Sequence, residues 1–329
     1  MNPAHVEAGI SIKNAVENKA IFHPKEIMVE KPHQNKTILL LPYKKPFYFQ
    51  QILSFMKHRE MTGVEVVTED SYSRTFRIGN AKGFFKVTDR PEQSVLELTI
   101  DCDDMVCHTE IHNRVRKVFD LDTDFAVINE RFVKDKLLSE GMVSGHVPRL
   151  PIAFSPFEFV VRAILGQQIS VKAATTLAVR VAKKAAIKSD SGFPPGLDFF
   201  FPYPSELLAL ELDELGLART RQATLKTVAQ AILIGDVKLT ANQPFDKFHK
   251  DFSALKGIGD WTVNYVAMRG LGMVDSFPAG DLGVVKALTK EGNVPSQKEI
   301  RNMAENWQPY RSYATLCLWN YNKKSRWQV

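Results

Sequence analysis

The chain has 329 residues, 44 % of them hydrophobic and 24 % charged, a balance that excludes a disordered chain and suits about two folded domains. A formal charge of +6 admits a polyanionic partner but does not establish one. No apolar run approaches the ~20 residues of a membrane span and no basic-then-apolar leader opens the sequence, so no membrane partner is expected. The expected location is the cytoplasm, at the nucleoid if the source is bacterial.

Residues 1–35 are polar and read as an N-terminal extension without an assigned role. Between 36 and 120 the periodicity changes several times. "TILLLP" is a short apolar strand, and "PFYFQQILSFMKHR" has helical spacing with proline at its start. "TGVEVVTED" and "SYSRTFRIGNAKGFFKVTDR" alternate as strands do, and the Gly79-to-Gly83 segment supplies hairpin turn chemistry. "SVLELTI" adds a strand and "MVCHTEIHNRVRKVF" a helix. This mixture predicts an α+β domain built on an antiparallel sheet with helices. Cys102 and Cys107, spaced C-x4-C, lack a second pair or a histidine set and read as reduced thiols, so no metal site is expected.

From 121 to 329 the strand signal disappears. "PFEFVVRAILGQQIS", "SVKAATTLAVRVAKKAAI", "TRQATLKTVAQAIL", "DWTVNYVAMRGLG", "DLGVVKALTK" and "PYRSYATLCLWNYNKK" all carry helical spacing, and many runs begin at a capping Ser, Thr or Asp. An all-α bundle is expected, interrupted by the Pro-, Gly- and aromatic-rich loop "SDSGFPPGLDFFFPYPS".

At about 246–270, "FDKFHKDFSALKGIGDWTVNYVAMRGL" reads as helix, tight turn, helix. Gly257 and Gly259 suit a turn that needs permissive backbone angles. A turn at a helix start presents free N–H groups backed by the helix dipole, which is chemistry for a phosphate. Lys256 beside it, with Arg219 and Arg221 in "GLARTR", could share one basic face toward a nucleic-acid backbone. Downstream, Pro278-Ala279-Gly280 delivers Asp281 to the start of another helix. Asp is a preferred N-cap there, and capping does not exclude catalysis, because a fixed carboxylate can stabilise a cationic sugar and orient or deprotonate a water.

The order of hairpin, helix, Gly-Pro turn and aspartate resembles the helix–hairpin–helix DNA glycosylase superfamily. "RLPIAFSPFEFVVRAILGQQIS", "GIGDWTVNYVAMRGLG" and "WQPYRSYATLCLWNY" are similar to its AlkA branch, the DNA-3-methyladenine glycosylase II type, and the likeness runs over about 36–322. The resemblance implies an N-terminal sheet domain followed by an all-α glycosylase domain. It implies an enzyme that binds damaged double-stranded DNA, flips out an alkylated base such as 3-methyladenine or 7-methylguanine, and hydrolyses the N-glycosidic bond. Asp281 matches the catalytic aspartate, with Asp275 as second choice. Phe55, Trp261, Tyr265 and Trp319 match the aromatic pocket, whose faces would attract a cationic base.

Two departures follow from the same comparison, at Gln168 and Asp260. Gln168 stands where the branch places a leucine wedge, so Gln168 or Ile169 would fill the gap left by the flipped base. Asp260 sits beside the hairpin, where a phosphate would prefer a neutral or basic residue. Trp261 occupies the position at which strand-cutting relatives carry a lysine, which implies a monofunctional enzyme that leaves an abasic site. A monomer is expected, with no cofactor except that a monovalent cation fits at the hairpin. The alternative is a noncatalytic helix–hairpin–helix DNA-binding protein.

Overall fold

The computed structural model describes residues 28–30, 36–102 and 104–325. Six antiparallel strands form one sheet, β1 (Met28–Glu30), β2 (Lys36–Pro42), β3 (Glu65–Val67), β4 (Ser71–Ile78), β5 (Ala81–Arg90) and β6 (Val95–Cys102). Their order across the sheet is β1-β2-β6-β5-β4-β3. Edge strand β1 falls inside the segment expected to be a featureless extension, and pairs Met28 with Leu39 and Glu30 with Thr37. The rest of that extension, 1–27 and 31–35, lies outside the described residues. The β4–β5 turn is tighter than expected: Ile78 already faces Ala81, so only Gly79 and Asn80 turn, and Gly83 belongs to the strand.

Alternation decides which face of the sheet is covered. Phe85 and Val87 of β5 stand opposite Ile100 and Leu98 of β6, and all four are fully buried. Helices α1 (Phe49–Lys57) and α2 (His108–Val118) lay Ile52, Leu53, Ile111 and Val115 into the same core. Each of these side chains is worth about 1.5–3 kcal/mol when buried.

The helical part comprises α3 (Phe125–Phe132), α4 (Lys136–Gly141), α5 (Pro156–Leu165), α6 (Val171–Ala185), α7 (Pro204–Ala209), α8 (Arg219–Ile234), α9 (Phe245–Ser253), α10 (Asp260–Val266), α11 (Leu282–Leu288), α12 (Gln297–Ala304) and α13 (Arg311–Ser325). It is not a single bundle. One core gathers α5, α6 and α8–α10 around Val160, Ile164, Phe248 and Val263. A second gathers α3, α4 and α11–α13 around Phe132, Leu138, Val284 and Tyr313. Residues 128–150 thus pack with the C-terminal helices, although they follow the sheet domain directly in sequence. Among the described residues no helix is long and apolar enough to cross a membrane.

Two devices lock the sheet onto the helices. The loop after α6 returns to the sheet, where the Asp198 and Phe199 amides donate to the Gly63 carbonyl at 2.7 and 2.8 Å, and Arg77 forks onto Glu206 at 2.8 and 2.5 Å. Deeper, Arg74 and Arg162 face Glu65 and Glu158 in a closed ion cluster. Arg74 reaches Glu158 at 2.5 Å and Glu65 at 3.4 Å, while Arg162 reaches both acids at 3.3 Å. Burial works to raise the Glu65 carboxyl, but Arg162 and Arg74 outweigh it and hold that group below the ordinary carboxylate range.

Candidate active site

A groove of about 1840 Å³ opens where the sheet domain and the two helical cores meet. Each unit contributes a wall. Phe55 comes from α1, Trp261 and Tyr265 from α10, and Asp281 and Trp319 from the α11 and α13 side. All five residues assigned to catalysis and base binding therefore line one groove, although 264 positions separate the first from the last.

Asp281 caps α11, as its position after the Pro-Ala-Gly turn suggested. Its Oδ1 accepts the Gly283 amide at 2.9 Å and the Val284 amide at 3.2 Å. The same oxygen accepts Trp319 Nε1–H at 2.8 Å, and Oδ2 accepts Trp261 Nε1–H at 3.1 Å. Every partner is an N–H donor, so the carboxylate serves purely as an acceptor. With about two lone-pair sites per oxygen, Oδ1 is saturated and Oδ2 keeps one direction open. The two tryptophans are thus more than pocket lining, since their indoles fix the carboxylate. Gly283 permits this arrangement, because a Cβ there would come within 2.6 Å of Trp319 Cδ1. The Trp261 ring stacks on Tyr265 at 5.0 Å and 18°, and Trp319 meets Tyr265 edge-on at 6.3 Å.

Asp275, the second choice, is spent elsewhere. Arg311 grips it with Nε and Nη2, both at 2.9 Å. Beside it, buried Asn264 accepts the Phe277 amide at 3.1 Å and is bonded by Ser276 Oγ, which pins the Pro-Ala-Gly turn to α10. No local sequence signal marks Asn264 for this task, because its partners lie twelve and thirteen residues downstream.

Phe55 lines the groove with two guanidiniums against its ring. The Arg59 guanidinium lies 3.8 Å from its ring centroid and that of Arg269 lies 4.4 Å away. Burial, the largest influence, lowers the Arg59 pKa and pushes that of Arg269 down to about 10. Neither arginine was singled out in the sequence, where each reads as an ordinary helical charge.

The hairpin runs from α9 to α10 with Lys256, Gly257 and Gly259 exposed. Gly257 has φ +90, and a Cβ on it would meet Thr224 Oγ1 at 2.1 Å. Gly259 differs: it caps α10 at φ −97 and nothing lies within 4 Å of a Cβ. Backbone geometry therefore requires glycine at 257 and not at 259. Asp260 is engaged by His249 Nε2 at 2.9 Å and Arg301 at 3.3 Å, which offsets its charge beside the turn.

Arg219 opens α8 at the surface, whereas Arg221 turns inward and donates to the Gln167 carbonyl at 2.7 Å. Gln167 in turn donates to the Gly257 carbonyl and to Thr262 Oγ1, both at 3.0 Å. The loop between α5 and α6 is thereby tied to the hairpin. At its tip Gln168 is exposed with φ +59, and Ile169 is 37 % exposed.

Cys102 and Cys107 bring their sulfurs to 2.9 Å, and His108 joins them so that all three ligand atoms lie within 4.8 Å of one another. The sequence around the pair offers a lone histidine and not a histidine set. Burial and the Cys102 neighbour push the Cys107 thiol up to about 12, so the thiol is held protonated at neutral pH.

These features define a helix–hairpin–helix protein with an aspartate-centred aromatic groove, and comparison with known proteins agrees. The AlkA N-terminal domain model matches residues 38–155, and the HhH-GPD superfamily base excision DNA repair protein model matches 161–311. The chain belongs to the AlkA-type family of the HhH-GPD base excision DNA repair superfamily. It is 30 % identical to "DNA-3-methyladenine glycosylase 2" of Escherichia coli over 282 residues, covering 85 % of this chain and 95 % of that protein. It is 32 % identical over 284 residues to the "Probable bifunctional transcriptional activator/DNA repair enzyme AlkA" of Mycobacterium tuberculosis, where 85 % of this chain spans only 56 % of the relative. The fold matches the 3-methyladenine DNA-glycosylase of Archaeoglobus fulgidus with a TM-score of 0.72 at 20 % identity, over 86 % of this chain and 98 % of that one.

Proposed function

We propose that this protein is a monofunctional DNA glycosylase that extrudes alkylated bases from damaged duplex DNA and hydrolyses the N-glycosidic bond, leaving an abasic site. The observation that carries the reading is the Asp281 carboxylate, held at the groove by two indole and two amide N–H groups with one direction of Oδ2 open. In that position Oδ2 takes the proton of an attacking water, and the carboxylate's charge stabilises the oxocarbenium character developing on the sugar. Trp261, Tyr265 and Trp319 supply the faces against which a flipped base stacks. Lys256, Gly257, Gly259 and Arg219 meet the backbone phosphates, and Gln168 and Ile169 enter the space the base vacates. Trp261 offers no amine for a Schiff base with the sugar, and this supports hydrolysis without strand cleavage. The protein is read as a single chain acting without a cofactor, with the hairpin carbonyls as the place for a monovalent cation.

The experiment is excision by Asp281→Asn on a duplex carrying one methylated base. At least the ~10²-fold loss typical of a missing acid–base group is expected, with DNA binding retained. Oδ1's three donors require oxygen there, so the new amide nitrogen must face Trp261 Nε1–H, donor against donor. A stability loss of about 1–3 kcal/mol accompanies that mismatch. Excision at the wild-type rate would falsify the catalytic assignment, and DNA binding without any wild-type excision would favour the noncatalytic binder. Borohydride trapping of a protein–DNA adduct would overturn the monofunctional assignment.

A further inference from the structure

The inner wall of the groove carries positive charge that no carboxylate answers. Of the arginines that line it, Arg59, Arg74, Arg162 and Arg269 are near enough to repel one another. Arg74 and Arg162 are matched by Glu65 and Glu158, two cations against two anions in mutual contact. Arg59 and Arg269 have no such match among the described residues. Arg59 Nη1 donates to the Phe55 carbonyl at 3.1 Å, and Arg269 Nε donates to the Pro151 carbonyl at 2.5 Å. Arg269 Nη1, buried in a residue only 5 % exposed, has no hydrogen-bond partner. Both guanidiniums share the Phe55 ring. The remaining acid of the wall, Asp281, is already engaged by four N–H donors.

An aromatic cage alone would favour cationic bases. A cage with two unanswered guanidiniums has a different preference, and the reaction shows which. When the C1′–N bond breaks, its electron pair leaves with the base nitrogen, while the water oxygen bonds C1′ and the water's proton passes to Asp281 Oδ2. A cationic base departs neutral. An uncharged base departs as an anion and takes a proton from water afterwards. The base changes charge by the same amount in both cases, so fixed positive charge beside it speeds bond breaking equally once the base is bound. Measured from free DNA, it favours the second transition state, which becomes net negative, and repels the first, which is still partly positive. Arg59 is the more accessible member of the pair and lines the groove.

We propose that Arg59, backed by Arg269, selects lesions by charge, promoting excision of uncharged damaged bases by taking up the negative charge of the departing base. This rests on the glycosylase reading above. The test is excision with DNA well below its KM, read as kcat/KM, from duplexes bearing one hypoxanthine, uncharged, or one 7-methylguanine, cationic, by the wild type, Arg59→Met and Arg59→Lys. The ratio of the two rates is independent of the fraction of enzyme correctly folded. Arg59→Met is expected to lower the hypoxanthine-to-7-methylguanine ratio at least about tenfold, equivalent to about 1.4 kcal/mol, and Arg59→Lys to restore part of it. A smaller fall in Arg59→Met, or a lysine variant no better than the methionine one, overturns the inference while leaving the glycosylase reading intact. A wild type that releases neither base sinks that reading, and this inference with it.

Discussion

The bond from Trp319 to Asp281 provides the sharpest test of the site. Trp319→Phe keeps a ring for base stacking and removes only the 2.8 Å Nε1–H donor to Oδ1. The carboxylate remains capped by the Gly283 and Val284 amides, so the start of α11 should hold. A hydrogen bond to a charged acceptor is worth about 1.5–3 kcal/mol. With about 1.4 kcal/mol for each tenfold in rate, the excision step should slow by about 10- to 100-fold if orientation of the carboxylate matters to the transition state. The assay is single-turnover excision on a one-lesion duplex, with a melting curve and a DNA-binding isotherm alongside. The variant should also be tested on the Asp281→Asn background. There it should cost almost nothing further, because two residues acting as one unit are not additive. A Trp319→Phe rate within about threefold of wild type in a folded protein, or full additivity in the double variant, would refute the idea that the indoles position Asp281.

The two hairpin glycines should part company. Gly257→Val meets Thr224 at a left-handed φ and should lower the melting temperature, whereas Gly259→Val fits sterically and should leave stability unchanged while weakening DNA affinity and its steep salt dependence. Unchanged binding by Gly259→Val would remove the hairpin amides from the phosphate contact. For acid stability, the Glu65 carboxyl titrates lower in the folded chain than in the unfolded one, so its stabilisation is complete above the unfolded value of about 4.5 and is lost as the pH falls through the lower folded value. A plot of melting temperature against pH should therefore drop below about pH 4.5 in the wild type. In Glu65→Gln the curve should start lower and fall less steeply, and parallel curves would contradict the assignment.

Local signals announced much of this molecule. Alternation exposed the sheet, glycine and proline punctuation exposed the hairpin, and the Pro-Ala-Gly-Asp turn placed Asp281 at a helix cap. The catalytic role proposed for it and the aromatic partners were suggested by family resemblance alone, since ring spacing cannot separate a pocket from a core. Long-range pairings were what the chain concealed. Arg59 and Arg269 lie 210 positions apart, yet share one phenylalanine ring. Gln167 is an unremarked polar residue until the fold sets it between Arg221 and Gly257. The division of the helices into two cores was equally hidden, because amphipathic periodicity says which face is buried and nothing about which neighbour buries it. Edge strand β1 escaped notice for a related reason: three residues give no measurable alternation.

The sheet domain does more than support the groove, for it contributes Phe55 and Arg59 as one wall. Asp281 and the indoles that hold it belong to the helices. On the proposed reading, the carboxylate that cleaves the bond is held by the helices, while part of the selection among bases comes from the sheet domain. Substitutions at Phe55 and Arg59 are then expected to retune the range of bases accepted without disturbing Asp281, so that descendants of one such scaffold could diversify in appetite while their chemistry stays constant.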